Sequence, residues 1–327
     1  MRTGETMPAA SRATLRALGV WTTFLGDGHL PCPGISSWWG PNTPVQQDSA
    51  FDPSGPGWHV DRCRFDRMLV AAAAATGAEV LDDTRLLDSQ FTAGMSGSAS
   101  WSVALQRDGR RSTCGARVLI IATGRSTAAP PEHAVRDRLD RLIGLGAIVP
   151  SDAVLSAADQ RIWIEATPCG WWYSAPMANQ QWTFTFFTDA DQAPTRRAAQ
   201  PLKEYWVTRL ALAPNTTRRI EALGLRASAL AMRSVANPVT VIAADSYRKR
   251  PCHGPGWLAA GDAASAWDPL SGQGIEKALR SGLRAAAAVD AMLGTRDCDA
   301  AALTAYARSE EEIDRQYRAH FRTYYGQ

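Results

Sequence analysis

A chain of 327 residues, 45 % hydrophobic and 20 % charged, has room for one large or two ordinary domains and enough apolar content to build a core, which excludes disorder, collagen and coiled coil as descriptions of the whole. Lys+Arg 35 against Asp+Glu 32 leaves a net charge of only +3, which argues against nucleic-acid binding, and no run approaches the roughly 20 apolar residues of a membrane span. The six cysteines, no two closer than Cys32 and Cys63, form no C-x-x-C signature and fit a reducing, cytoplasmic setting, and the first residues show no secretory signal.

In chain order, Thr6 reads as the N-cap and Pro8 as the first turn of a helix stopped by Gly19. Residues 20–60, rich in Gly, Pro and Trp, read as loops with short strands. A helix is expected over 62–76, stopped by Gly77. Alternating segments follow at 78–81, 85–92 and 99–106, and a strand enters Ala122. The last two are expected to join across Asp108-Gly109, a hairpin dipeptide. The apolar Leu119-Ile-Ile-Ala122, closing on Thr123-Gly124, suits a buried strand that ends in a tight turn. Residues 127–160 are mixed in pattern. From 162 to 188 the pattern is β and aromatic, and alternation over 181–187 predicts one buried face. Helices near 200–213 and 216–223, paired strands over 226–243 and a short strand over 256–260 follow. Two helices, over 272–293 and 300–325, close the chain.

The richest stretch is Gly256-Trp-Leu-Ala-Ala-Gly-Asp-Ala-Ala-Ser-Ala-Trp-Asp-Pro-Leu-Ser-Gly-Gln-Gly-Ile-Glu-Lys277. A strand delivers Asp262, a Pro/Gly turn follows, and a long helix begins. Asp262 can accept hydrogen bonds from a polyol chain. Gly272 and Gly274 let backbone N–H groups come close to a ligand at the helix N-terminus, whose partial positive charge suits a ring that becomes anionic on reduction. An ordinary strand-to-helix connection has the same spacing, and spacing alone does not choose between the two.

The pattern G-D-A-A-x-x-x-D-P-x-x-G-x-G resembles the second FAD motif of the aromatic-hydroxylase-like flavoprotein superfamily. Asp61-Arg62-Cys-Arg-Phe65-Asp66-Arg-Met-Leu69 resembles its D-R-x-x-F-D-x-x-L helix start, and Val118-Leu-Ile-Ile-Ala-Thr-Gly-Arg125 its D-A-T-G-R strand end. Gly4-Glu5-Thr-Met-Pro8 and Gly170-Trp-Trp-Tyr-Ser-Ala-Pro176 resemble elements of its tryptophan-halogenase-like branch. The resemblance implies an α/β fold. A glutathione-reductase-type FAD-binding domain would take 1–20, 61–126 and 245–327, and a β-sheet substrate domain 21–60 and 127–244. It implies flavin contacts from Arg62, Thr123, Gly124, Gly261, Asp262, Pro269, Gly272, Gln273 and Gly274. The family's opening strand, G-x-G-x-x-G and helix are not in the sequence: Gly26-x-Gly28 is followed by Pro31, and Gly144-x-Gly146 by Val149. The FAD-binding domain is therefore expected to lack its first βαβ unit, through a late gene start, a fragment or a loss of FAD binding, and the chain as written to bind FAD poorly.

The resemblance further implies an FAD-dependent monooxygenase. It would hydroxylate an aromatic substrate, small or peptide-bound and tryptophan-like, through a flavin hydroperoxide. Electrons would come from NAD(P)H or from reduced flavin supplied by a separate flavin reductase. Halogenation is disfavoured, because Lys203, Lys249 and Lys277 lie outside the region where halogenases carry their relay lysine, and His29 stands in the corresponding stretch. A prenyl-chain reductase, which shares the cofactor motifs, and a cofactor-free binding protein are also compatible with these residues. The candidate acid/base groups are His29, His59 and Glu165. Histidine can deprotonate a phenol or indole near neutral pH, and an inward-pointing glutamate would have a raised pKa. Each also fits a purely structural role. His133, His253 and His320 have no partners at metal-ligand spacing, so no metal is expected.

Overall fold

The computed structural model describes residues 5–40, 43–92, 100–126, 134–150, 159–177, 180–194, 199–224, 239–294 and 301–325. The fold is mixed α/β, and the chain divides into two compact units. One comprises Met1–Thr76, Asp140–Asp245 and Asp268–Gln273, the other Gly77–Leu139, Ser246–Trp267 and Gly274–Gln327. The expected limits grouped 1–20 and 61–126 together; in this division 1–76 goes with the β-rich unit.

The first unit is built on a seven-stranded sheet. Its order is Thr240–Ala243, Leu142–Pro150, Gln181–Asp189, Gly170–Met177, Ile162–Thr167, Gly34–Trp38 and Val45–Asp48. Neighbours are antiparallel except Ile162–Thr167 beside Gly34–Trp38. Aromatic strand residues pack against the helices Ala199–Leu210 and Pro214–Ala222: Trp172, Trp182, Phe184 and Phe186 meet Leu202, Trp206, Leu210 and Ile220. The expected single buried face over 181–187 needs correction. Thr183 and Thr185, the polar half of the alternation, are buried as deeply as Trp182 and Phe184. A strand in mid-sheet is covered on both sides, which alternation in chemistry alone does not reveal.

A small antiparallel sheet of Glu5–Met7, Gly57–Val60 and Leu30–Cys32 belongs to the same unit. Thr6 is therefore a strand residue opposite His59, not a helix cap, and the helix runs over Ser11–Ala17. The pairing partner lies some fifty residues away in sequence, beyond any local pattern. A second helix, Trp21–Gly26, forms in the stretch expected to be loops and strands, anchored by buried Phe24. Helix Arg62–Ala75 forms as expected, with the Asp61 carboxylate accepting from the N–H groups of Cys63 and Arg64.

In the second unit, Arg85–Thr92, Ser100–Arg107 and Arg110–Ala116 form an antiparallel meander. Asp108 and Gly109 both have positive φ, as a two-residue hairpin turn requires. The hairpin joins Ser100–Arg107 to Arg110–Ala116, not to the strand entering Ala122, and 78–81 forms no strand. That later strand, Leu119–Ile121, lies parallel to Trp257–Ala259, and Ile120 is 44 % exposed where full burial was expected. Val135–Arg138, Tyr247–Arg250 and Ser265–Ala266 make a further sheet. Helices Gly274–Gly294 and Ala301–Tyr325 contribute Ala285, Met292, Leu303 and Tyr306 to a core with Leu258 and Ala260. Of the strands expected over 226–243, Thr240–Ala243 is present, and 225–238 lie outside the described residues. Among the described residues no helix is long and apolar enough to cross a membrane.

Candidate functional site

Strand Trp257–Ala259 ends at Ala260, and Gly261 turns the chain at φ +61°. The Gly261 N–H donates to Ser281 Oγ at 2.9 Å. Ser281 in turn meets Tyr306 Oη at 3.0 Å, and that hydroxyl donates to the Ala259 carbonyl at 2.8 Å. The turn is thus tied to both long helices of its unit, and it sets the direction of the next side chain, Asp262.

Asp262 is gripped by two cations. Lys277 Nζ donates to Oδ1 at 2.9 Å, and Arg125 Nε lies 3.5 Å from Oδ2. The Lys277 side chain is only 4 % exposed. It also donates to the Ser265 carbonyl and stands 5.2 Å from the centre of the Trp267 ring. A lysine this near the start of a helix opposes the helix dipole, and the adjacent carboxylate offsets that penalty. Arg125 Nη2 donates to the Trp267 carbonyl at 3.0 Å, and Tyr247 Oη donates to the Asp262 carbonyl at 2.8 Å. Yet the Asp262 side chain remains 29 % exposed. A carboxylate offers about four acceptor positions, so one held by two cations can still accept from hydroxyl groups.

Beyond Asp262 the chain enters the first unit over Asp268–Gln273. Asp268 Oδ1 accepts from the Leu270 N–H at 2.8 Å, and Ser271 Oγ donates to the Asp268 carbonyl at 2.8 Å. Pro269–Ser271 form one 3-10 turn, and Gly272 leaves it at φ +61°, ψ 8°. No atom lies within 4 Å of where a Cβ on Gly272 or Gly274 would sit. Gln273 is exposed, and the 21-residue helix starts at Gly274.

The residues singled out from the sequence fall into two sets. In the second unit, the turn at Thr123 and Gly124 is brought to Asp262 by the Arg125 ion pair, and Gly261 and Gly274 share that unit. Arg62, Pro269, Gly272 and Gln273 lie in the first unit. There Arg62 pairs with Glu5 and, at 3.2 Å, with Asp66, which joins two of the sequence motifs.

The three acid/base candidates, all in the first unit, are unlike one another. His59 Nε2 donates to the Gln160 carbonyl at 2.8 Å, and Nδ1 lies 3.4 Å from Thr6 Oγ1, which bonds Tyr173 Oη at 2.8 Å. Burial lowers its pKa to about 4, so the ring is neutral near pH 7 with both nitrogens engaged. Glu165 accepts four hydrogen bonds, from the N–H groups of Asn215 and Thr216 and from their side chains, at 2.7–3.0 Å. Its geometry is that of a cap on helix Pro214–Ala222, supplied from a neighbouring strand because Ala213 has no side chain to do it. His29 Nδ1 accepts from the Asp61 N–H at 3.2 Å, and its buried Nε2 has no hydrogen-bond partner among the described residues. Burial lowers the His29 pKa as well. Sequence reading passed over Arg125, Lys277 and Trp267. Lys277 gives no sequence signal of its own, because it follows Glu276 in the first turn of its helix like an ordinary surface charge.

No protein-family model matches the chain. Over 164 residues it is 27 % identical to LodB of Marinomonas mediterranea, which carries the name of an FAD-dependent oxidoreductase, across 49 % of this chain and 42 % of that one. Over 274 residues it is 25 % identical to a tryptophan 2-halogenase of Chondromyces crocatus, across 81 % and 48 %. Among solved structures, CmlS, a flavin-dependent halogenase, matches with a TM-score of 0.82 at 20 % identity, over 99 % of this chain and 57 % of that one. The peptidyl tryptophan dihydroxylase QhpG matches with a TM-score of 0.76 at 20 % identity, over 100 % and 67 %. The chain spans about half the length of the curated relatives it matches.

Proposed function

Because the chain belongs to the flavin-dependent aromatic-hydroxylase and halogenase superfamily of oxidoreductases, we propose that it binds FAD at the strand, turn and helix built around Asp262 and oxidises an aromatic substrate. The observation that carries this reading is a carboxylate fixed by two cations yet open to solvent, on the unit whose long helix starts at Gly274. These residues fit the group. Asp262 keeps acceptor capacity for the ribityl hydroxyls. Gly274 leaves its flank open, and the first N–H groups of the helix have no carbonyl four residues back to bond, so they suit a ring oxygen. Thr123, Gly124 and Gly261, in the same unit as Asp262, are the further proposed contacts. Bound FAD supplies the electron transfer to oxygen, while the chain binds, orients and shields the reactants. NAD(P)H, or reduced flavin from a separate reductase, is the proposed electron source. Of the acid/base candidates, His29 alone keeps an unspent nitrogen and is the proposed proton carrier.

Two chemistries fit this frame. Lysine placement supports hydroxylation: Lys249 is buried and donates to the Ser126 carbonyl at 3.3 Å, and Lys277 is bound to Asp262. The similar proteins favour halogenation, against the reading of the sequence, because both the tryptophan 2-halogenase and CmlS are halogenases. The test supplies the purified chain with reduced FAD, oxygen and tryptophan, free or within a peptide, with and without chloride or bromide. Oxygen gained by the product regardless of halide supports hydroxylation. Halogen gained only with halide supports the second reading. A chain that takes up no FAD from solution contradicts both.

A further inference from the structure

Four indole N–H groups are buried without an acceptor among the described residues, those of Trp171, Trp172, Trp182 and Trp267. Three belong to side chains inside the sheet core, at 3 %, 0 % and 0 % exposure, where no ligand reaches. Trp267 differs: although its N–H is itself covered, the side chain is only half-buried and stands in the ionic cluster around Asp262, so a ligand entering there has covering side chains to displace and not a sheet core. Its ring is held in place. Tyr317 stacks flat on it, with centroids 4.6 Å apart and planes 2° from parallel, and Tyr317 Oη is itself bonded to Ser246 Oγ at 3.1 Å. Lys277 Nζ stands over the ring, fixed by Asp262 and the Ser265 carbonyl. The Trp267 carbonyl is held by Arg125. A donor removed from water with no acceptor is destabilising, and a rigid ring cannot turn to relieve it.

We propose that Trp267 is a binding residue for the coenzyme, its N–H donating to an oxygen or nitrogen acceptor of the flavin ring system. The proposal rests on the reading of the Asp262 cluster as an FAD site. The side chain is pre-positioned, so the hydrogen bond forms without ordering a flexible group, and the burial penalty of the free protein is recovered when the ligand enters. The neighbouring Lys277 and Arg125 outnumber Asp262 in charge, which favours an electron-rich acceptor at this place.

Trp267→Phe bears on this role, because phenylalanine keeps a flat ring against Tyr317 while removing the donor, and the ligand-free melting temperature reports the packing lost with the second ring. The chain, labelled with 15N on the indole nitrogens, is titrated with FAD. The Trp267 indole proton, identified by its loss in the variant, should shift as FAD is added, and Trp267→Phe should weaken FAD binding about five- to tenfold while the ligand-free melting temperature holds. An unmoved indole proton, or equal affinity in the variant, overturns the proposal while leaving the FAD reading intact. Wild-type chain that binds no FAD overturns both. Should Trp267→Phe fail to fold, Trp267→Tyr assigns the indole proton and supplies the affinity comparison in its place.

Discussion

Arg219 in the sheet unit and Lys277 in the other are both buried cations, and the two are kept in opposite ways. Arg219, in the sheet unit, is 3 % exposed and lies 4.6 Å from the ring centres of both Trp163 and Trp182. Its four hydrogen bonds all go to neutral oxygens: the carbonyl and hydroxyl of Ser174, at 3.0 Å each, and the carbonyls of Asp159 and Arg161, at 2.7 Å each. Burial draws its pKa down to about 9, which still leaves it charged at neutral pH. Lys277 is also buried, but its partner is a carboxylate that faces solvent. Arg219 gathers loose backbone carbonyls and so serves the fold. Lys277 orients a group that something outside the protein can touch. A buried charge alone does not mark a site; what distinguishes the two is whether its partner has lone pairs left to offer.

The contrast can be broken most forcefully at Arg219. Arg219→Met strands three carbonyls and should lower the unfolding free energy by about 3 kcal/mol or more, read by chemical denaturation, with FAD affinity of the folded protein unchanged. A loss below about 1 kcal/mol would put the guanidinium outside the fold's supports.

His59 comes next, through pH. Its folded pKa of about 4 lies below the ordinary value of 6.5. Between those values the unfolded chain takes up the proton and the folded chain does not. Its contribution to stability is therefore complete above about pH 6.5 and declines as pH falls toward 4, by about 3 kcal/mol in all. A His59→Gln variant should show a flatter stability profile over that window; an unchanged slope would mean that His59 is not the group responsible.

A smaller effect is expected at Glu165. Replacement by Gln keeps the shape and removes the charge from a helix start, which should cost about 1–2 kcal/mol. Turnover should then fall no further than the folded fraction does, whereas a catalytic glutamate would lose turnover in a fully folded variant. Smallest of all, Gly272→Ala meets no atom but must hold φ at +61°, so about 1 kcal/mol of stability should be lost, measured by thermal melting.

What the sequence makes legible follows the same division. Asp262, Gly272 and Gly274 stand out because a strand end, a left-handed turn and a helix start each demand a particular residue type, and those demands are local. Helices Arg62–Ala75, Gly274–Gly294 and Ala301–Tyr325 stand out by capping and apolar spacing. The small sheet does not, because Glu5–Met7 is three residues long and its partner is distant in the chain. Arg219 and Lys277 escape notice for a different reason. On a helix a charged residue is taken to face water, and only the fold reveals that Ser174 or Asp262 lies opposite. Glu165 shows the converse: its Trp-flanked strand suggests an acid in an apolar pocket, while the bare N-terminus of helix Pro214–Ala222 supplies the true partners.

The most direct test of the account is a titration of the chain with FAD, followed by flavin fluorescence and visible absorption, for the wild type beside Asp262→Ala and Asp262→Asn. Weak but saturable binding by the wild type, as expected without the first βαβ unit, weakened at least about tenfold further in both variants while they remain folded by circular dichroism, is the predicted result. Equal FAD affinity in all three proteins would contradict it.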